Sequence, residues 1–249
     1  MLQMKTDILE NESLEDLQCG GLSLIQKKDG FRFGTDAVLL ADFSKNIRSK
    51  RTLDLCTGTG IIPILLSAKT TTPEIHGLEI QEDIAEMAGR SVNINSLSER
   101  VHIKCGDLKN CLSYYPPSSF NLITCNPPYM KSGSAILNDS DNKIISRHEV
   151  MCTLEDIIRV SSRLLKPGGH LAMVHRPNRL VDVLATMRDY SIEPKTIRFV
   201  HASSDKPPIL FLTDAMYKAN RDIKILPPLY LYDKDGNETP ELKMIYERD

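Results

Sequence analysis

The chain has 249 residues, of which 41% are hydrophobic and 26% are charged, and its formal net charge at pH 7 is −2. This length suits one α/β domain with a sizeable core, and the composition is ordinary for a globular protein. The longest apolar run, Ala37–Ala41, is far shorter than the roughly 20 residues of a membrane helix, so we exclude a membrane protein. The near-neutral charge by itself gives no argument for a nucleic-acid partner.

The N-terminus and the cysteines indicate the compartment. The first 21 residues are acidic and contain no apolar signal core, so we expect no export. The six cysteines, at positions 19, 56, 105, 111, 125 and 152, include no C-x-x-C pair. This pattern favours a reducing compartment and argues against a disulfide framework or a metal site. We therefore predict a cytoplasmic protein without a metal.

A short N-terminal segment precedes the main pattern of the chain. Residues 22–26 are strand-like, a turn follows at 28–30, and FRFGTDAVLLADF (31–43) predicts a helix for which Thr35 would be the N-cap. We treat residues 1–46 as an N-terminal extension and residues 47–249 as the main domain.

Short apolar runs alternate with helical patterns through the main domain. The predicted strands are 51–56, 74–80, 101–105, 120–125, 170–175, 196–202 and 208–217, and the predicted helices are 58–69, 82–96, 153–165 and 178–190. This alternation predicts an α/β fold with a doubly wound, Rossmann-like sheet, because parallel strands need helical crossovers of one hand. The last two strands favour an antiparallel pair at the C-terminus.

The loop after the first predicted strand has the composition of a ligand-binding turn. Asp54 is followed by Gly58 and Gly60, and glycine allows a sharp turn and close approach of a ligand. A dinucleotide-binding fingerprint would have a third glycine where this chain has Pro63. An acid at the start of the loop would repel a phosphate and attract a cationic ammonium or sulfonium group. The loop therefore favours S-adenosylmethionine over NAD.

Acidic residues also follow the next two strands. Glu79 stands 19 residues after Gly60, and Asp107 follows the third strand. Ligands of such sheets bind outside the carboxyl ends of the strands. A carboxylate at Glu79 can bind both ribose hydroxyls, and Asp107 can accept a hydrogen bond from the adenine amine of the cofactor.

The fourth strand leads into a stiff loop with the sequence TCNPPYM (124–130). Proline fixes φ and pushes the preceding residue to extended angles, so Asn126, Pro127 and Pro128 have little freedom to relax. The Asn126 side-chain oxygen and the Pro127 carbonyl could accept both hydrogens of a planar amine and free its lone pair for attack on a methyl sulfonium. Tyr129 offers a ring on which the base can stack.

These motifs resemble the class I S-adenosylmethionine-dependent methyltransferases with an N-P-P-Y motif, which methylate planar amines. FRFGTDAVLLADF, LDLCTGTGIIPILL, RHE (147–149) and the tail LPPLYLYDKDGNETPE are similar to the bacterial valine-tRNA adenine-N6 methyltransferase family, from about residue 14 to the end. The resemblance implies that the acceptor is the N6 amine of an adenine in tRNA, just 3′ of the valine anticodon. Residues 218–220 depart from the family, because Lys-Ala-Asn replaces the KGG-like residues expected there.

The resemblance also implies the site residues. The cofactor site would comprise Phe33, Thr35, Asp36, Asp54, Cys56, Thr57, Gly58, Gly60, Glu79, Ile80, Asp107, Leu108 and Asn126. Catalysis would involve Asn126, Pro127 and Tyr129, with Tyr129 also contacting RNA. The extension 1–46 would pack over the methionine end of the cofactor.

The charge distribution suggests an RNA surface. Residues 157–206 carry nine Lys or Arg against four Asp or Glu, and such a basic stretch can bind phosphates. Within it we choose Arg176 and Arg179 as phosphate contacts. The expected partner is tRNA, and we expect the enzyme to be a monomer.

Several alternatives remain open at this point. The same chemistry would serve a guanine in rRNA or a glutamine in a release factor, since both share the N-P-P-Y motif. A non-enzymatic module that binds S-adenosylmethionine is a third possibility, although such a module has no need of the Asn126 loop. Residues 147–149 (Arg-His-Glu) are interpreted as a helix start with a local ion pair, and Cys56 and Cys125 as packing residues.

Overall fold

A mixed sheet of nine strands organises the part of the chain that the computed structural model describes, residues 8–29, 34–127 and 152–248. Strands β1 and β2 form a separate hairpin, and β3 to β11 form this sheet. The strands are β1 (Glu12–Asp16), β2 (Ser23–Lys27), β3 (Arg51–Leu55), β4 (Glu74–Glu79), β5 (Val101–Cys105), β6 (Phe120–Cys125), β7 (Leu165–His175), β8 (Ile192–His201), β9 (Pro208–Tyr217), β10 (Lys224–Ile225) and β11 (Leu229–Tyr230). The helices are α1 (Thr35–Ser44), α2 (Ile61–Lys69), α3 (Glu82–Ile94), α4 (Leu154–Leu164), α5 (Leu180–Asp189) and α6 (Pro240–Ile245). Two 3₁₀ helices span Leu108–Ser113 and Pro177–Arg179.

The strand order is β5-β4-β3-β6-β7-β9-β8-β10, with β11 also paired to β8. Strands β5, β4, β3, β6 and β7 are mutually parallel, and β9 lies antiparallel between β7 and β8. Helices connect successive parallel strands, as the right-handed crossover requires. The prediction of a doubly wound, mostly parallel sheet with an antiparallel C-terminal strand is therefore confirmed.

The core explains why the central strands read as continuous apolar runs. Leu53 and Leu55 of β3 and Ile123 and Cys125 of β6 have no exposed surface, because helices cover both faces of a parallel sheet. The first six residues of α2, IIPILL, are all buried as well. This packing holds the carboxyl ends of β3 and β6 side by side.

The N-terminal extension contains a strand that the sequence pattern did not indicate. Strand β1 pairs antiparallel with β2, and this hairpin is fastened to α3. The Ile25 N–H donates to the Ser91 hydroxyl at 3.0 Å, and Arg90 forms a double hydrogen bond with the Glu12 carboxylate at 2.6 and 2.7 Å. The Arg90 guanidinium lowers the pKa of Glu12 despite its burial.

Two local predictions need correction. Gly34 is the N-cap of α1 and Thr35 is its first helical residue, so the N-cap prediction for Thr35 was wrong. Strand β7 begins at Leu165, directly after α4, five residues before its predicted start. Leu165 pairs with Phe120 and His170 pairs with Leu122, so the Lys-Pro-Gly-Gly segment forms a bulge in β7 at which the register with β6 shifts. No helix in the described ranges is long and apolar enough to cross a membrane.

Candidate active site

The carboxyl ends of four parallel strands bring the predicted site residues to one edge of the sheet. Asp54 in β3 lies opposite Thr124 in β6, and Glu79 at the end of β4 lies opposite Cys105 at the end of β5. Asn126 directly follows β6, and Asp107 follows β5 by two residues. The three acids and the asparagine therefore belong to one contiguous group of strand ends.

A tight turn follows β3. Cys56, Gly58 and Gly60 have φ values of 57°, 56° and 82°, in the left-handed region that glycine tolerates best. The Gly60 N–H donates to the Thr57 carbonyl at 3.0 Å. A Cβ on Gly60 would lie 3.2 Å from the Ala88 Cβ, whereas a Cβ on Gly58 would meet no atom within 4 Å. Gly60 is therefore needed for packing, and Gly58 leaves open space beside the loop.

Glu79 holds this turn in place. One carboxylate oxygen accepts the Gly58 N–H at 2.9 Å, and the other accepts the Gln81 N–H at 3.1 Å and the Gln81 side-chain amide at 3.2 Å. The residue is only 5% exposed. A carboxylate fixed by backbone donors is oriented in advance for hydroxyl groups arriving at the open side of the loop.

Asp54 is completely enclosed. The Thr124 hydroxyl donates to its Oδ1 at 2.6 Å, and its Oδ2 has no partner among the described residues. Burial raises the pKa of Asp54 to about 7, against the hydrogen bond from Thr124, which lowers it. The carboxyl group thus changes charge near neutral pH. With no exposed surface, the carboxyl group is not open to direct contact with a ligand in this conformation.

The residues that follow β5 are partly exposed. The Asp107 Oδ1 caps a 3₁₀ helix by accepting the Lys109 N–H at 2.9 Å. Leu108 is buried and Ile80 is half-buried. A Cβ on Gly106 would lie 2.6 Å from the Tyr114 ring, so Tyr114 packs directly on the backbone before Asp107. Sequence reasoning did not find Tyr114.

The catalytic loop is described only at its start. Asn126 is half-buried and Pro127 is buried, directly after the fully buried Cys125. The predicted Pro128 and Tyr129, as well as the Arg-His-Glu segment at 147–149, lie outside the described residues. The register that pairs Leu55 with Cys125 makes Cys56 and Asn126 equivalent positions at the two strand ends.

Three thiols meet beneath this loop. Interaction with the Cys125 thiol, together with burial, raises the pKa of Cys56. Interaction with Cys56, together with burial, raises the pKa of Cys152, and burial raises the pKa of Cys125. A raised pKa disfavours the nucleophilic thiolate, which agrees with a packing role for Cys56 and Cys125. Cys152 and Thr124 were missed by sequence reasoning. The signal for Thr124 was a polar residue inside an apolar strand that pairs with Asp54.

The predicted site residues of the N-terminal extension are Phe33, Thr35 and Asp36. Phe33 lies outside the described residues. Asp36 accepts the Ala37 N–H of its own helix at 2.9 Å, and Thr35 lies near Tyr246, close to the C-terminus. The placement of these residues over a cofactor, and the division at residue 46, stay predictions.

The two arginines chosen for RNA follow β7 at the same edge of the sheet. Arg176 is exposed, and Arg179 donates to Asp182 at 2.7 Å. Burial, together with both arginines, lowers the pKa of His175 to about 4, so this histidine is neutral at physiological pH and stacks on Phe211. His175 therefore adds no positive charge beside these two arginines. Residues 218–220 follow β9, which runs the other way, and lie at the opposite edge.

The described residues fit S-adenosylmethionine. Three carboxyl groups at adjoining strand ends provide the negative field that a sulfonium and an ammonium require. Asp54 has a buried oxygen without a described partner, and the missing Cβ of Gly58 leaves room for a ligand. No cluster with metal-holding geometry occurs within residues 8–29, 34–127 and 152–248.

The architecture is shared with known methyltransferases. The crystal structure of a predicted O-methyltransferase from Agrobacterium tumefaciens superimposes with a TM-score of 0.69 at 22% identity, over 85% of this chain and 95% of that one. A 16S rRNA N2 G1207 methyltransferase from T. thermophilus, solved with AdoMet and guanosine, superimposes with a TM-score of 0.59 at 14% identity, over 84% of this chain and 51% of that one. The chain therefore has the Rossmann-like fold of these methyltransferases.

Sequence comparison identifies the family. The methyltransferase small domain profile matches residues 27–190. A protein of Porphyromonas gingivalis named tRNA1(Val) (adenine(37)-N6)-methyltransferase is 30% identical over 190 residues, covering 74% of this chain and 73% of that protein. A protein of the same name from Parabacteroides distasonis is 29% identical, covering 73% and 75%. The chain belongs to the methyltransferase small domain family and is an S-adenosylmethionine-dependent enzyme, which confirms the resemblance seen in the motifs.

Proposed function

We propose that the enzyme transfers a methyl group from S-adenosylmethionine to the exocyclic N6 of an adenine in tRNA, namely the adenine just 3′ of the anticodon in valine tRNA. The relatives from Porphyromonas gingivalis and Parabacteroides distasonis bear the name of this activity, which supports the choice of acceptor. The proposal includes action in the cytoplasm as a monomer, and the extension 1–46 as a cover over the cofactor site.

The observation that carries the reaction type is the register between β3 and β6. Because Leu55 pairs with Cys125, the glycine turn after β3 and the Asn126 loop after β6 start side by side. A ligand on the turn would therefore lie next to an amine held by Asn126. This adjacency is what direct transfer between two bound molecules requires.

The chain's own residues have separable roles in this reaction. S-adenosylmethionine, when bound, supplies an electrophilic methyl group. Glu79 and Asp107 would bind the ribose hydroxyls and the adenine of the cofactor, and Asp54 would stabilise its cationic end. Asn126 and the Pro127 carbonyl would accept the hydrogens of the target amine, and Tyr129 would stack on the base. Rigid neutral acceptors suffice, since positioning and electrostatics dominate.

The decisive experiment exposes tRNA, rRNA and release-factor substrates to labelled S-adenosylmethionine and identifies the products after digestion. We expect N6-methyladenosine in valine tRNA. Label in a guanine of rRNA or in a glutamine of a release factor would overturn the acceptor while keeping the reaction type.

The catalytic assignment predicts the behaviour of Asn126→Ala. Asn126 is used mainly in the transition state, so kcat should fall by at least about a hundredfold while cofactor affinity is largely kept. Tyr129→Phe should lose little and Tyr129→Ala roughly 5- to 150-fold in kcat/KM, the range of base–aromatic stacking. Single-turnover methylation of a valine tRNA transcript measures both, and an Asn126→Ala enzyme at the wild-type rate would contradict the mechanism.

A further inference from the structure

An open groove lies at the carboxyl edge of the sheet, away from the cofactor turn. It has a volume of about 600 Å³ and is lined by Ala202, Ser203, Asp205, Lys206, Tyr232, Asp233, Lys234 and Gly236. One wall is the loop between β8 and β9, and the other is the turn after β11. The Tyr232 N–H donates to the Ala202 carbonyl at 2.8 Å, which joins the two walls. We call this feature the Tyr232 groove.

The topology places this groove on the same edge as Asn126. Strand β8 is antiparallel to β9, which is antiparallel to β7, so β8 runs parallel to β6 and β7. Strand β11 is parallel to β8. The ends of β6 and β8 are three strand spacings apart, or about 14 Å. Arg176 and Arg179 follow β7 between them, so cations line this edge from the catalytic loop to the groove.

The lining of the groove includes an exposed aromatic ring and two lysines. Tyr232 is 41% exposed, and Lys206 and Lys234 are exposed on the two walls. In the ranges that the structure describes, neither lysine takes part in a salt bridge. A ring beside unpaired ammonium groups is the arrangement that binds a base by stacking and its phosphates by charge.

The two acids of the groove are already engaged. Asp205 accepts the Ser203 hydroxyl at 2.6 Å, and Asp233 accepts the N–H groups of Asp235 and Asn237, both at 2.9 Å. The Ser203 hydroxyl, followed by the charges of Lys206 and Lys234, lowers the pKa of Asp205. The two carboxylates stabilise the loops, and both lysine side chains remain exposed to solvent.

We propose that the Tyr232 groove binds a nucleotide of the acceptor RNA other than the target base. Tyr232 stacks on that nucleotide's base, and Lys206 and Lys234 contact the flanking phosphates. This inference rests on the proposed function, because it requires an RNA acceptor. It gives the enzyme a second point of attachment, which selects a structured RNA over an isolated adenine by fixing the distance between two nucleotides.

The test compares groove variants with a matched control in methylation of an unmodified valine tRNA transcript. The groove variants are Tyr232→Ala, Tyr232→Phe and the pair Lys206→Ala with Lys234→Ala. The control pair is Lys50→Ala with Lys166→Ala, which removes the same charge from exposed positions at the amino ends of β3 and β7. Thermal unfolding checks that each variant is folded, and calorimetry checks cofactor affinity.

We expect Tyr232→Ala to raise KM for the tRNA at least about fivefold, with kcat and cofactor affinity unchanged. Tyr232→Phe keeps the stacking face and should resemble the wild type. The lysine pair should raise KM and reduce the slope of log affinity against log salt by about 2, whereas the control pair should change neither.

The outcomes separate the two proposals. Wild-type methylation of tRNA with unchanged KM and salt slope in the groove variants would overturn the groove and leave the proposed function standing. Equal losses in the control pair would also overturn it, because the effect would then be general charge. A wild-type enzyme that methylates no tRNA would overturn the proposed function and the groove together, and a KM effect on a protein acceptor would assign the groove to protein.

Discussion

Asp54 shows how one side chain can depend on a neighbour that carries no charge. The carboxyl group is enclosed between β3 and β6, and its one described donor is the Thr124 hydroxyl at 2.6 Å. Removing that hydroxyl would leave a buried acceptor without its partner, which costs about 1–3 kcal/mol. Thr124 is therefore a positioning residue for Asp54, placed two residues before Asn126 on the same strand.

The raised pKa of Asp54 predicts a pH-dependent stability difference between the wild type and Asp54→Asn. The folded pKa is about 7 and the unfolded value is near 3.9, so the folded state binds more protons between these limits. The contribution of Asp54 to the free energy of unfolding therefore falls as pH rises from about 4 to about 7, by at most roughly 1.4 kcal/mol per pH unit. Asn does not titrate, so its variant should gain on the wild type over this window.

Denaturant unfolding of both proteins at pH 4.5, 5.5, 6.5 and 7.5 measures this difference (these values span the window between the two pKa values). Comparing the two proteins cancels the opposite slope that His175 contributes. Burial lowers its pKa to about 4, so on acidification towards that value the unfolded chain binds a proton that the folded protein does not bind. A constant difference across the series would show that Asp54 stays ionised in the folded protein.

At the scale of elements, the turn between β3 and α2 combines backbone conformation with packing. Gly60 has a φ of 82° and lies against Ala88 of α3. Glu79 fixes the same turn from β4 through the Gly58 N–H. Contacts from β4 and α3 thus hold the turn between β3 and α2. A substitution in this turn should therefore change both the free energy of unfolding and the affinity for the cofactor.

Gly60→Ala should destabilise the protein by about 1–2 kcal/mol, the cost of a left-handed conformation for a residue with a Cβ, and should weaken S-adenosylmethionine binding. Gly89→Ala is the matched control, since Gly89 lies inside α3 with open space at its Cβ. That change should stabilise the protein by roughly 0.5–1 kcal/mol. Thermal unfolding and calorimetry report both effects, and a stabilised Gly60→Ala would refute the packing account.

The elements differ in how far the sequence could predict them. Strands β5, β6 and β9 have the predicted bounds. Strands β6 and β9 contain apolar runs, and β5 alternates apolar and polar residues before the turn-forming Gly106. Strand β1, with the sequence ESLED, is polar and pairs only with β2, so its signal is weak. The two-residue strands β10 and β11 owe their existence to the edge of β8, which is a tertiary contact.

The residues of the candidate site also differ in how far the sequence could predict them. The three acids and Asn126 could be predicted because strand ends of a parallel sheet converge whatever the details of packing. Thr124, Tyr114 and Cys152 could not, since their roles depend on register and on which loop folds back. Asp54 was expected as a cofactor-binding acid, and its complete burial is a tertiary effect that no local sequence pattern records.

At the scale of the whole molecule, folding redistributes the basic excess of residues 157–206. Arg188 is paired with Glu193 at 2.7 Å, and Arg198 is paired with Glu241 at the same distance. Arg159 pairs with Asp156. Nearby acids partly neutralise these cations, so the count of Lys and Arg in residues 157–206 overstates the positive potential of this part of the surface. The phosphate contacts that we propose are therefore the cations at the carboxyl edge.

Arg176→Ala and Arg179→Ala should each raise KM for the RNA and lower its salt slope by roughly one for each lost phosphate contact. Cofactor affinity should not change. Arg179 also pairs with Asp182, which is exposed, so Arg179→Ala is compared with Asp182→Ala. Removing the Asp182 carboxylate should leave KM for the RNA unchanged or lower it. A negligible salt dependence in the wild type would argue against an RNA acceptor.

The pairing of β3 with β6 has a thermodynamic consequence. The strand that carries Asp54 also adjoins the strand that carries Asn126, and the Thr124 hydroxyl connects them, so occupancy on one side should change the free energy of occupancy on the other. Such linkage is reciprocal: the factor by which S-adenosylmethionine tightens RNA binding must equal the factor by which RNA tightens S-adenosylmethionine binding. Measuring both factors in the wild type and in Thr124→Val would show how much of this cooperativity passes through one hydroxyl group.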